Sequence, residues 1–183
     1  TTPQSGSTYC ENYQLAFERA CDFVLCLDGR YGSRLVVQER YEALWALFAF
    51  ETDRVDPYEE DLRDPDSPQF QTIRLQVQRK DPVPVGGWEP AATYETGRLR
   101  CGNANPESPD YDSLADFCFT EDGVEVRIPW QLLNFSDPSE MRIHQDYYEN
   151  YGVETMVIDE LYVGLAGGDT QGRVAMAAFP LEG

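Results

Sequence analysis

Acidic side chains crowd one Pro-rich stretch, "DRVDPYEEDLRDPDSPQ" (Asp53 to Gln69). A calcium ion takes about six to eight oxygen ligands, and clustered Asp on irregular backbone supplies them. Asp61, Asp64 and Asp66 are the candidate ligands of a structural calcium, with Asp56, Glu59 and Glu60 just upstream. A solvated acidic loop is the competing reading, because the spacing departs from an EF-hand loop and no Gly stands at its turn position. The run "NANPESPDYD" (Asn103 to Asp112) is a second, sparser place for the same chemistry.

Aromatic rings on loops suggest a different chemistry. Trp88 lies in "VGGWEP", where a flat ring could stack on the apolar face of a pyranose while nearby carboxylates and amides take the hydroxyls. It could equally fold back as a lid on the protein core. Tyr147, Tyr148 and Tyr151 in "HQDYYENYG" form the densest aromatic cluster, and tyrosine pairs a wide apolar face with a hydroxyl, which suits carbohydrate or protein recognition. Half-buried packing rings are the plainer alternative.

Catalytic constellations are missing from the pattern. His144 is the single histidine, so multi-His metal sites are excluded, and no G-x-S-x-G elbow accompanies it. In "MRIHQDYY" it reads as an ordinary surface or half-buried residue. With 33 acids, paired carboxylates for glycoside hydrolysis have no diagnostic value. No Gly-rich phosphate loop or dinucleotide fingerprint is present. The chain therefore reads as non-catalytic.

Cys10, Cys21, Cys26, Cys101 and Cys118 form no C-x-x-C, which removes zinc-ribbon and thioredoxin-like readings. Cys26, in the apolar "DFVLCLDG", behaves as a small hydrophobe. Cys101 and Cys118 flank a polar loop and could pair in an oxidising setting. An odd count leaves at least one thiol over, and spacing does not fix the connectivity.

The elements that would position these groups are mostly strands. Period-2 alternation marks "DFVLCLD" (Asp22 to Asp28), continuous enough for a central strand, and "RLVVQ" (Arg34 to Gln38), joined as a hairpin through "GRYGS". "IRLQVQ" (Ile73 to Gln78) alternates most clearly, with Ile73, Leu75 and Val77 on one face. Further strands fall at Thr93 to Cys101, Leu114 to Phe119, Val124 to Ile128, Glu160 to Leu165 and Arg173 to Phe179. One helix is predicted over Gln38 to Glu51, where Tyr41, Leu44, Trp45 and Phe48 recur at helical spacing, with a buried strand as the alternative because Ala43 to Phe50 is apolar without a break. Pro- and Asp-rich loops separate the strands. The expected fold is all-β: an antiparallel β-sandwich of jelly-roll type with one short helix and long acidic loops, a single domain over 1–183.

A formal charge of −19 repels nucleic-acid phosphates and anionic lipid, which sets DNA, RNA and membrane-surface binding aside. It suits neutral ligands, cationic partners or divalent cations. No apolar run reaches the roughly 18 residues a spanning helix needs. The opening "TTPQSGSTYC" has no basic-then-apolar leader, and it reads as a loop interrupted partway, as in a piece of a longer chain.

The run "VEVRIPWQLL" (Val124 to Leu133) resembles the strand-plus-corner of family 9 carbohydrate-binding modules and the related DOMON-like β-sandwiches. The longer "SLADFCFTEDGVEVRIPWQLLNFSDPSEM" and the hairpin "DFVLCLDGRYGSRLVV" also resemble a domain of Gram-positive bacterial surface proteins. The resemblance implies a jelly roll and, by analogy, sugar binding between exposed aromatic rings, with structural calcium. Within the matched run only Trp130 is aromatic enough to serve, and its position after Ile128-Pro129 favours a core plug over a ligand platform. The combined expectation is a non-catalytic, extracellular or cell-surface module that recognises a glycan, with a structural or protein-interaction domain as the alternative.

Overall fold

The structure, a computed structural model, describes residues 6–41, 66–77, 82–83, 87–88, 92–144 and 154–181. Its strands in chain order are β1 (Ser7–Cys10), β2 (Leu15–Cys21), β3 (Phe23–Cys26), β4 (Arg34–Gln38), β5 (Phe70–Thr72), β6 (Arg74–Gln76), β7 (Pro82–Val83), β8 (Gly87–Trp88) and β9 (Thr93–Glu95). They continue with β10 (Phe117–Phe119), β11 (Val124–Val126), β12 (Phe135–Asp137), β13 (Arg142–His144), β14 (Thr155–Val157), β15 (Glu160–Gly164), β16 (Arg173–Val174) and β17 (Met176–Pro180). One short helix, α1 (Gly29–Gly32), sits in the β3–β4 connection. The protein is all-β, as the alternation predicts.

Two three-stranded sheets enclose the core. One has the order β1-β2-β16 and the other β3-β4-β5. Cys10, Phe17 and Val174 from the first meet Val36 and Phe70 from the second, with Leu15, Cys21, Val24 and Met176 packed around them. Burying these side chains supplies the main driving force for the fold, roughly 25 cal/mol per Å² of apolar surface removed from water. The middle strand of the second sheet is β4, whose Leu35, Val36, Val37 and Gln38 are all buried. The sequence points to Asp22–Asp28 as the central strand; among the described strands β3 lies instead at the sheet edge, half-buried along its length. Being covered on both faces is what makes Leu35 to Val37 a continuous apolar run rather than an alternating one.

The remaining strands pair in smaller ladders: β6 with β9, β7 with β8, β10 with β11, β12 with β13 and β14, and β15 with β17. The described ladders do not trace a clear jelly roll. The sheets are not wholly antiparallel either, because β16 runs parallel to β2. The predicted strand from Arg173 to Phe179 divides at Ala175: its first part joins β2 and its second part joins β15. Arg19 of β2 lies 3.7 Å from the ring centroid of Tyr162 on β15, a cation–π contact that links the two ladders.

Several elements differ from expectation for local physical reasons. β1 and β2 carry no sequence prediction, because "LAFERAC" is rich in good helix formers; packing of Phe17 into the core overrides that propensity. Gln38, the predicted helix start, is the last residue of β4, followed by a 3-10 turn over Glu39–Tyr41; the rest of the predicted helix lies outside the described residues. In the predicted apolar face of Ile73, Leu75 and Val77, both Leu75 and Val77 are exposed. Among the described residues no helix is long and apolar enough to cross a membrane.

Candidate functional site

The sequence concentrates charge of the rarer sign in two short stretches, "GRYGSR" (29–34) and "GRLR" (97–100). The fold brings them side by side. In the first, Gly29 takes φ +62°, a left-handed conformation open to glycine, and starts the single turn of α1. The buried hydroxyl of Ser33 then locks the loop: it donates to the Gly29 carbonyl at 2.7 Å and accepts from the Asp28 N–H at 3.1 Å. Held this way, Arg30 and Tyr31 stand out from the hairpin, and the Tyr31 side chain is 76% exposed.

The second stretch runs antiparallel to the start of β4. The Leu35 N–H donates to the Gly97 carbonyl at 2.7 Å, and the Leu99 N–H donates to the Ser33 carbonyl at 3.0 Å. Gly97 is required by this approach, since a Cβ there would lie 2.4 Å from the Leu35 carbonyl oxygen. Gly97 and Leu99 are buried while Arg98 and Arg100 are exposed, so strand-like alternation sets both guanidiniums on one side. Just upstream, Tyr94 on β9 pairs with Leu75 on β6 and is 63% exposed.

Together these segments form a groove of about 540 Å³. Tyr31 and Tyr94 contribute rings, and Arg30, Arg98 and Arg100 contribute cations. Leu99 and Cys101 complete the wall. A groove of this size falls within the range of small-ligand sites.

The arginines differ in how they are engaged. Arg100 Nε lies 2.6 Å from Asp112 Oδ2, while Asp112 Oδ1 also accepts from the Leu114 N–H. That backbone hydrogen bond first, and the Arg100 guanidinium second, hold the Asp112 carboxyl below its usual range. Among the described residues Arg98 reaches the Tyr31 carbonyl alone, with Nη2 at 3.5 Å. Arg30 makes no hydrogen bond or ion pair among the described residues. Arg34, directly opposite Arg98 across the strands, is instead paired with Glu95 at 3.5 Å.

None of the candidate binding or metal residues read from sequence is among the described residues that line the groove. Trp88 is described through its backbone, which pairs with Pro82 in the small β7–β8 hairpin rather than lying in an open loop; its ring lies outside the description. Tyr147, Tyr148, Tyr151, Asp61 and Asp64 lie outside the described residues. Asp66 is an exposed turn residue whose carbonyl accepts from the Ser7 hydroxyl. Among the described residues no three His, Cys, Asp or Glu side chains converge as metal ligands do. In the Asn103 to Asp112 loop, side-chain oxygens turn back onto the loop's own backbone, Asn103 capping Asn105 and Asn105 capping Glu107. His144 is exposed on β13.

Trp130 is not a core plug. It opens a 3-10 turn (Trp130–Leu133) after Pro129, and its ring is 43% exposed. It meets Phe135 edge-on at 4.7 Å, and Phe135 is the buried member of the pair. A single tight turn swings the residue after Pro129 outward, so the seal is made five residues later.

All five cysteines are free thiols. Cys101 bridges to Phe117, which places Cys118 one residue along and facing the opposite side. Burial pushes the Cys10 thiol up and the Cys21 thiol up to about 12, the latter also through neighbouring Asp22. Both are thus held in the unreactive protonated form.

Sequence reasoning missed the groove because it searched for aromatic clusters and acidic loops. The available signal was the pair of Arg- and Gly-containing stretches, almost free of acids in a chain that carries 33 of them. Compared with known proteins, the chain matches no family model, no curated protein and no solved structure at a significant level.

Proposed function

We propose that the chain is a non-catalytic recognition module that takes a carbohydrate in the groove between Tyr31 and Tyr94. On this reading it works outside the cell, as one part of a larger bacterial surface protein. One observation carries it: two exposed tyrosine rings flank a groove whose wall holds three arginine donors. Rings of this kind stack on the apolar face of a sugar, and guanidiniums donate to its oxygens. The likeness of "VEVRIPWQLL" to carbohydrate-binding modules supports the same class. A structural calcium on Asp61, Asp64 and Asp66 belongs to the proposal as a separate, testable part.

Calorimetry against a glycan panel, with calcium and after chelation, tests it. Tyr31→Ala and Tyr94→Ala are expected to weaken binding about tenfold or more, consistent with about 1–3 kcal/mol for a lost stacking ring. Loss of binding in Trp88→Ala with both tyrosine variants intact would move the site to the β7–β8 hairpin. Failure to retain any glycan would sink the reading.

A protein-interaction role is the second reading, favoured by the exposed apolar side chains of Phe119, Val124 and Val126 on the β10–β11 ribbon. Exposed apolar surface on a paired ribbon is a common feature of contact faces.

A further inference from the structure

The groove's charge is out of keeping with the rest of the chain. The protein carries 33 acidic and 14 basic residues, so each guanidinium has more than two carboxylates to choose from. Elsewhere on the described surface four arginines are engaged, Arg34 with Glu95, Arg142 with Glu140, Arg127 with the Ser113 and Ala115 carbonyls and Arg19 with the Tyr162 ring, while the exposed Arg173 of β16 shows no side-chain partner among the described residues. In the groove, Arg30 has no such partner among the described residues, and Arg98 has only a carbonyl at 3.5 Å. Both are exposed, and both line the groove together with Tyr31 and Tyr94.

We infer that the groove selects a sugar bearing a carboxylate, a uronic acid residue, over its neutral counterpart. The inference rests on the saccharide reading above and adds the chemical class of the ligand. A guanidinium offers a planar fork of N–H donors that matches a carboxylate, and such charge-assisted pairs are about twice as strong as neutral hydrogen bonds. Arg98 and Arg100 face the same side through the buried–exposed alternation of Gly97 to Arg100, and Arg30 approaches from α1. Tyr31 and Tyr94 supply the flat faces a sugar ring needs, which a bare anion does not use. The net charge of −19 sets the upper limit on the ligand. A densely charged polyanion meets the field of the whole chain, whereas one uronate residue meets the local arginines.

The test is calorimetry on the full chain with trisaccharides of galacturonate, glucuronate and mannuronate, each paired with its methyl ester. Neutral glycans and inorganic phosphate serve as further probes. At least one uronate is expected to bind about tenfold more tightly than its ester. In the exposed double variant R30Q/R98Q, checked for fold by circular dichroism, that ratio should fall to near one. Tyr31→Ala should weaken acid and ester alike. Equal binding of acid and ester, a ratio that survives R30Q/R98Q, or binding of neutral glycans alone would overturn the inference and leave the saccharide reading standing. Phosphate binding as tight as the uronate's would reduce the groove to a simple anion site and overturn it too. No binding by any saccharide would overturn both.

Discussion

The paired three-stranded sheets and the β10–β11 ribbon are built from similar residues, yet most of the ribbon's apolar side chains stay exposed. In the sheets, Val36, Phe17 and Phe70 disappear into one core. In the ribbon Phe117 is buried as well, but Phe119 and Val124 sit opposite each other across the strands and remain exposed. The difference lies in partners rather than in the strands themselves. A two-stranded ribbon is marginal on its own and takes its stability from whatever it packs on. The sheets carry the folding free energy, which leaves the hairpin loops and ribbons available for recognition.

The sharpest way to break this contrast is at Phe70. Its ring is 2% exposed at the meeting of the two sheets. Phe70→Ala should cost about 3–5 kcal/mol, through lost burial and the cavity left behind. Phe119→Ala, at the same residue type on the ribbon, should cost under about 1 kcal/mol. Urea denaturation of both variants measures the difference. Equal losses would mean that Phe119 packs into the core as its neighbour Phe117 does.

How much of this was legible in the sequence follows from where each side chain's partner lies. The β3–β4 and β10–β11 hairpins could be read because their partners are close in sequence and their turn residues are explicit. The parallel pairing of β16 with β2 joins residues more than 150 positions apart, and alternation carries no information about such a partner. Cys101 facing Phe117 rather than Cys118 is likewise a matter of register, one residue being enough to reverse a side chain's direction. The groove was hidden for the same reason. Arg30 and Arg98 are 68 positions apart, and only the docking of Gly97 against Leu35 makes them neighbours.

A smaller effect is expected at the corner where β2 passes into β3. Asp22 is half-buried there, and burial pushes its carboxyl up to about 6. The folded state therefore holds this proton more tightly than the unfolded chain, whose carboxyl keeps the ordinary value of about 3.9. Stability falls as pH rises through that window, and the full cost is present above about pH 6. Asp22→Asn removes it, with an expected gain of about 1–3 kcal/mol near pH 8 that shrinks toward zero by about pH 4. Denaturation midpoints at the two pH values check the sign. A loss at pH 8 would show that the charged carboxylate is needed where it stands.

Trp130 should give a modest effect, and its size separates two views of the Ile-Pro-Trp corner. A plug would behave like Phe70, with a loss of about 3–5 kcal/mol on truncation. The observed ring is 43% exposed and touches Phe135 by an edge-to-face contact, an arrangement worth about 0.5–1.5 kcal/mol beyond burial. Trp130→Ala should therefore cost about 1–2 kcal/mol, and Phe135→Ala should cost more, because Phe135 is the ring sealed inside. Denaturation midpoints for the two variants order them directly. If Trp130→Ala proved the costlier, the turn after Pro129 would be closing the fold through the tryptophan after all. The reverse order assigns the seal to β12 and leaves the tryptophan ring as exposed surface.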